Sequence, residues 1–326
     1  MTPTLFLHIG GPKTGTSAIQ SMLARNIQVL AGRGIHYPDH HSLAAAREKQ
    51  ITSGNGVHLA KLLGCPLPDD VSTDHIIPEV KAAFDRGMSL LYSSEALSSC
   101  EIEAAKAFRE QVLEIGFRIK IIFYVRSVAD HALSLWNQEV KSALTDLTFA
   151  RWITPCYAAE YQARPLREAL QVYSENEINV RNYDCASDLF SDFLAALDFL
   201  DLRGFDFAIG KVNRSLNEIE LAVMRAMAPV LSDPSHARIA SDAIIGQRPQ
   251  APSMRTISQD AMKAIEASDE GAVEFINAYL RQKPIGLISD ELSVAETPEP
   301  KLSEVEQVLA ATIAGIIRYG GLKITL

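Results

Sequence analysis

Apolar positions in the first two hundred residues fall into short unbroken runs, separated by stretches with helical periodicity. Residues 4–9 form a run that ends in glycines, and Ile19, Met22, Leu23, Ile27 and Leu30 then recur at helical spacing. "SLLYS" at 89–93 predicts a second strand. The helix after it is marked at its start by Ser98 and Glu101, in the S-x-x-E spacing of a capping box. "IKIIFYV" at 119–125 is continuous enough to be buried on both faces, as parallel strands are, and Ala129, Ala132, Leu133, Trp136 and Val140 define the helix behind it. Residues 155–175 read as helix, 178–184 as a fourth strand and 189–197 as its helix. Strands alternating with helices predict an α/β fold, a parallel β-sheet flanked by helices with ligands at the carboxyl ends of the strands.

Beyond residue 212 the strand signal fades into a mainly helical C-terminal part, with periodicity at 216–230, 258–281 and 303–318. The proline- and serine-rich stretch 232–255 reads as a long loop, a lid or substrate loop, and 293–304 as an exposed linker. The expected organisation is one domain over 1–326, with an α/β core at 1–212 and the helical part at 213–326.

Composition narrows the function classes. With 47% hydrophobic and 22% charged residues the chain matches an ordinary globular protein. No run approaches the roughly 18 apolar residues of a membrane span, and the N-terminus lacks the basic region of a secretory signal, so no integral membrane segment and a cytoplasmic location are expected. A net charge of −9 argues against nucleic-acid binding, whose affinity comes largely from cations on phosphates. Any anion site is then a local positive feature. Cys65, Cys100, Cys156 and Cys185 are far apart in sequence and suggest free thiols rather than a metal site or a disulfide framework.

Such a local feature follows the first strand. In "GGPKTGTS", Gly10 and Gly15 have the spacing of a nucleotide-triphosphate loop, G-x-x-x-x-G-K-[ST], and Ser17 stands where the metal-binding hydroxyl would. Thr16 fills the lysine position, and the loop's lysine is Lys13, two residues before Gly15. Orphan N–H groups and the helix dipole suit such a loop to an anion, with Thr14, Thr16 and Ser17 adding hydroxyls. The plain alternative is a tight strand-to-helix turn with a solvent-facing lysine.

"GPKTGTS" is similar to the 5′-phosphosulfate loop of sulfotransferases that use 3′-phosphoadenosine-5′-phosphosulfate (PAPS), in which the lysine precedes the glycine by two residues. The resemblance extends to "FYVRSVADHALSLW", where Arg126 ends a buried strand and Ser134 follows eight positions on, the pair that in this family holds the 3′-phosphate. It implies a P-loop-like sulfotransferase architecture. It also implies that Pro12, Lys13, Thr14, Gly15, Thr16 and Ser17 bind PAPS, and that Lys13 stabilises charge on the departing phosphate. The co-product would be adenosine 3′,5′-bisphosphate. A sulfuryl group carries less negative charge than a phosphoryl group, so no metal is expected.

In "LLYSSEAL", Glu95 stands where the family carries its acceptor-activating base, a glutamate in several carbohydrate sulfotransferases, which points to a hydroxyl on a saccharide or glycolipid. Glu95 is either that base, its pKa raised by burial, or a carboxylate favouring the N-terminus of the next helix. Arg214, in "KVNRSLNEIE", is the expected additional cation at the 3′-phosphate, although the arginine-lysine-glycine signature of the small-molecule branch is absent. His36, Asp39, His40 and His41 cluster in sequence, but Gly34 and Pro38 suggest an extended segment without zinc spacing. His8 reads as a core residue, His58 as a helix-surface residue or part of an acceptor pocket, and Tyr157 and Tyr161 as packing or sugar-facing rings. Two other classes stay open: a P-loop kinase or NTPase, and a non-catalytic nucleotide-binding protein on the same fold.

Overall fold

The computed structural model describes residues 2–39, 43–48, 52–68, 71–186, 188–207, 214–231, 233–247 and 249–296, with isolated positions beyond 301. The chain divides into two compact units. One comprises Met1–Arg126, Glu160–Val212 and Gly271–Ile285, the other Ser127–Ala159, Asn213–Glu270 and Gly286–Leu326.

The first unit is a five-stranded sheet, β1 (Thr4–Ile9), β2 (Ile35–His36), β3 (Ser89–Ser94), β4 (Arg118–Val125) and β5 (Ile178–Asn182), in the order β2-β3-β1-β4-β5. All its pairings are parallel. β1 lies at the centre and is buried from Leu5 to Ile9, which explains why its sequence is a continuous apolar run rather than an alternating one. On one face Phe6, Leu91, Ile122 and Tyr124 pack with Ile19, Met22 and Leu23 of helix Thr16–Arg25 and with Phe193 and Leu194 of helix Leu189–Ala196. On the other, Leu7 and Ile9 join Ile102 and Ala105 of helix Ile102–Ile115 and Ala169 of helix Glu160–Leu170 around an apolar pocket. Each such aliphatic or aromatic side chain contributes about 1.5–3 kcal/mol when fully buried.

Register places the carboxyl ends of four strands together. Ile9 lies opposite Ser94 on one side and Phe123 on the other, and Val125 lies opposite Asn182. The residues that follow these ends, Gly10, Glu95, Arg126 and Tyr183, therefore emerge on one edge of the sheet.

The second unit is mainly helical: Val128–Lys141, Phe149–Cys156, Glu218–Met227, Pro234–Gln247 and Gln259–Ser268, with a short parallel pair, β6 (Thr256–Ser258) and β7 (Ser293–Ala295). Trp136, Phe149, Trp152 and Tyr157 form its aromatic core. The indole N–H groups of Trp136 and Trp152 donate to Leu147 O and Glu139 Oε2.

Several boundaries differ from the sequence reading. Ser98 does not cap a helix: Glu95–Ser99 is a 3₁₀ turn capped by Ser94, the Ser98 hydroxyl donates to Glu95 O, and the helix starts only at Ile102. The expected helix at 155–175 is two, Phe149–Cys156 and Glu160–Leu170, separated where Tyr157 turns extended and its ring is buried. The stretch 232–255 is not a long loop, because helix Pro234–Gln247 fills most of it. Its signal was present: proline suits the first helical position, and Asp233 accepts from Ser235 N. The helix expected over 258–281 stops at Ser268; Gly271, with φ +83°, opens a separate helix, Ala272–Asn277, that belongs to the first unit. The helix expected at 303–318 lies largely outside the described residues, as do His40 and His41. No helix among the described residues is long and apolar enough to cross a membrane.

Candidate active site

The loop between β1 and helix Thr16–Arg25 holds two residues in the left-handed region, Lys13 at φ +64° and Gly15 at φ +83°. For a lysine this backbone costs on the order of 1 kcal/mol or more, and such strain concentrates where function requires it. Gly15 is fixed twice over. Its φ favours glycine, and a Cβ there would lie 2.6 Å from Leu189 and 2.7 Å from Tyr183. Gly10 has no such φ but no room either, since its Cβ would meet Thr16 Oγ1 at 2.5 Å. Gly15 caps the following helix without any side-chain bond, and no acidic residue sits in the helix's first turn, so the N-terminal dipole faces the loop.

The hydroxyls divide by role. Thr14 is buried and donates to Gly11 O at 2.7 Å, bracing the loop from inside. Thr16 is also buried, with its hydroxyl 3.4 Å from Gly11 O and hydrogen-bonded to Glu95. Pro12 is half-buried on the loop, and Ser17 is half-buried in the first turn of helix Thr16–Arg25.

Lys13 and Glu95, expected from separate motifs, are brought together. Glu95 leaves the end of β3 solvent-accessible, yet close packing of protein atoms around its carboxyl raises its pKa by desolvation, opposed by the charge of Lys13 and the bond from Thr16. Desolvation likewise lowers the Lys13 pKa, and Glu95 opposes the shift. The glutamate thus interacts with the glycine loop while standing in the first turn of the 3₁₀ helix Glu95–Ser99; helix Ile102–Ile115 begins after Glu101, whose side chain makes no capping bond. The Lys13 ammonium and the Glu95 carboxylate thus each offset part of the other's desolvation.

Arg126 ends the same edge. Its backbone is clamped by Gln162, which accepts from Arg126 N at 2.9 Å and donates to Arg126 O at 3.0 Å. Its guanidinium lies over the Tyr183 ring, with Nη1 3.5 Å from Lys13 O and Nη2 3.2 Å from Asp184 Oδ1. Sequence reasoning missed Gln162, Tyr183 and Asp184. It carried the fourth strand through 184, whereas β5 stops at Asn182 and delivers Tyr183 and Asp184 to the strand-end loops.

Of the other expected residues, Ser134, Arg214 and Tyr157 belong to the second unit, and Tyr161, His58 and His8 to the first. Ser134 is half-buried on helix Val128–Lys141, two turns past its start. Arg214 is buried and bound two-pronged by Glu220, at 2.8 and 3.0 Å, while Lys141 donates to Arg214 O. Tyr157 is buried with its hydroxyl 2.9 Å from His131 Nδ1, and Tyr161 is exposed. His58 lies on helix Val57–Leu62 with Nδ1 against Ser72 O. His8 is fully buried, with Nδ1 2.8 Å from Ser93 Oγ. None of the four cysteines forms a disulfide. Among the described residues no group of three or more His, Cys, Asp or Glu could hold a metal ion.

No protein-family model and no curated protein matches the chain. Among solved structures, it is similar to the crystal structure of a sulfotransferase from Alicyclobacillus acidocaldarius, with a TM-score of 0.36 and 16% identity over 76% of this chain and 97% of that one. A likeness of that degree leaves the chemistry to the chain's own residues.

Proposed function

We propose that the protein is a sulfotransferase that moves a sulfuryl group from PAPS to an acceptor hydroxyl, on a saccharide or glycolipid. The observation that supports this reading is the meeting of Lys13, Glu95 and Arg126 on one edge of a parallel sheet, around a strained glycine loop. The residues fit an anionic nucleotide. A helix N-terminus without a capping side chain suits one phosphate, and a guanidinium beside the loop suits a second. When bound, PAPS supplies the activated sulfuryl group.

The chain's own residues do the rest. The loop N–H groups and Lys13 bind and stabilise negative charge, an electrostatic contribution that costs no reorganisation in a loop already held by Thr14 and Gly15. Glu95 accepts the proton of the acceptor hydroxyl, which a carboxylate does better near neutral pH when its pKa is raised. Lys13, its own pKa lowered, stays a cation while Glu95 is a carboxylate, because each charge favours the other. Arg126 would hold the 3′-phosphate that separates PAPS from common adenine nucleotides.

The test is thermal unfolding with adenosine 3′,5′-bisphosphate, with ADP, and with ATP plus Mg²⁺. A ligand at a hundred times its Kd adds about 2.7 kcal/mol. A rise in midpoint with the bisphosphate alone is the expected result. A rise with ATP and Mg²⁺ but none with the bisphosphate would overturn the reading in favour of a kinase-like loop.

A further inference from the structure

We propose that Asp184 is a specificity-determining residue of the Arg126 subsite: its carboxylate is the resident counter-ion of the guanidinium, and a phosphate of the nucleotide gains Arg126 only by displacing it. The inference rests on the reading of Arg126 as a phosphate ligand.

The arginine pairs of this chain differ in construction. Arg181 grips Asp192 with both Nε and Nη2, and Asp192 also accepts from Tyr124 and Gln282. Arg214 grips both oxygens of Glu220, the two side chains being only 3% and 7% exposed. At Arg126 the arms diverge, one toward Lys13 O and the other toward Asp184, and both side chains are 13% exposed. Two-pronged pairing is the stronger geometry, so of these three pairs the divergent one is the easiest for a competing anion to open.

Neither partner depends on the other for its place. Gln162 holds the Arg126 backbone and Tyr183 lies against its guanidinium. Asp184 is carried on a turn in which its N–H donates to Asn182 Oδ1. Asn182 is in turn tied to the returning segment, its N–H donating to Gln282 Oε1 and its side chain to Lys283 O. Removing the charge of Asp184 leaves this framework in place.

A carboxylate beside a phosphate dianion opposes its binding. Two like charges about 6 Å apart at an effective dielectric near 20 repel strongly enough to change affinity by ten-fold or more. The group that gains most from Arg126, a 3′-phosphate, is also the one most opposed by Asp184. The consequence is a nucleotide product held less tightly than Arg126 alone would hold it.

Titration calorimetry of wild type and Asp184→Asn with adenosine 3′,5′-bisphosphate and with AMP, which lacks the 3′-phosphate, tests this. Asparagine keeps the shape and an acceptor oxygen while removing the charge. Asp184→Ser is the second variant, and unfolding midpoints show that both are folded. The expected result is that both variants tighten bisphosphate binding by about ten-fold and AMP binding by less than about two-fold. Weaker bisphosphate binding in both variants would mean that Asp184 preorganises Arg126 and would overturn the proposal, as would no change. If wild type prefers the bisphosphate over AMP and the variants do not improve it, only this inference falls. If wild type shows no such preference, the reading of Arg126 falls and this inference with it.

Discussion

Arg126 and Arg214 carry the same guanidinium, and the family resemblance leads both to be expected at the 3′-phosphate. Their surroundings differ in kind. Arg214 is buried, closed two-pronged on Glu220, and its backbone carbonyl receives the Lys141 ammonium. The same Glu220 also completes a capping box with Asn217 at the start of helix Glu218–Met227, so the arginine belongs to the closure of a helix end. Arg126 is half-buried at the edge where four strands end, its backbone held by an amide and its charge turned toward a strained loop. A charged residue near a motif is a ligand candidate only where its partners leave it something to do.

The sharpest way to break this contrast is Glu220→Ala. Removing one partner of a buried pair leaves the other charge uncompensated, which costs about 3–5 kcal/mol. Denaturant unfolding is expected to show that loss, with the affinity for adenosine 3′,5′-bisphosphate unchanged. Stability near wild type, or bisphosphate binding that falls with it in folded protein, would place Arg214 at the ligand after all.

Arg126→Ala is expected to act the other way. A hydrogen bond to a charged group contributes about 1.5–3 kcal/mol, so bisphosphate affinity should fall by about 10- to 100-fold. The unfolding midpoint should move little, because Gln162 bonds to the backbone that alanine retains. An equal loss of AMP affinity would show that Arg126 serves the nucleotide generally rather than its 3′-phosphate.

This division of roles was only partly legible in the sequence. The strands were, because a central parallel strand is apolar at nearly every position, and Leu5 to Ile9 and Ile119 to Val125, His8 and Lys120 apart, admit few other readings. The glycine loop was, because Gly15 must take a conformation that few side chains share. Partner choice was not. Nothing in "KVNRSLNEIE" distinguishes an arginine that closes on a glutamate six residues later from one that waits for a ligand. Asp184 and Gln162 reach Arg126 from 58 and 36 residues away, over distances that no local pattern encodes. The strand boundary at Asn182 depends on the returning residues 282–284, which lie a hundred residues further on.

His8 extends the same contrast to a titrating group. It lies one residue before the end of β1, close in sequence to Lys13, and offers an imidazole that an acid-base reading would welcome. Burial removes that use: its ring is enclosed by Tyr124 and Phe193, Nδ1 is held by Ser93, and desolvation lowers its pKa from 6.5 to about 3. The folded state thus keeps His8 neutral in a pH range where the unfolded chain protonates it. Stability is fully present above pH 6.5 and is lost as pH falls through that window toward about 3, by at most about 1.4 kcal/mol per pH unit from this group. His8→Asn removes the titration while keeping a polar partner for Ser93. Denaturant unfolding at a series of pH values should show a shallower acid loss in the variant than in wild type, even if the variant starts lower at neutral pH from the smaller side chain. Parallel slopes would mean that His8 takes up its proton within the folded protein, and that its place beside the loop has a chemical use that burial was thought to deny it.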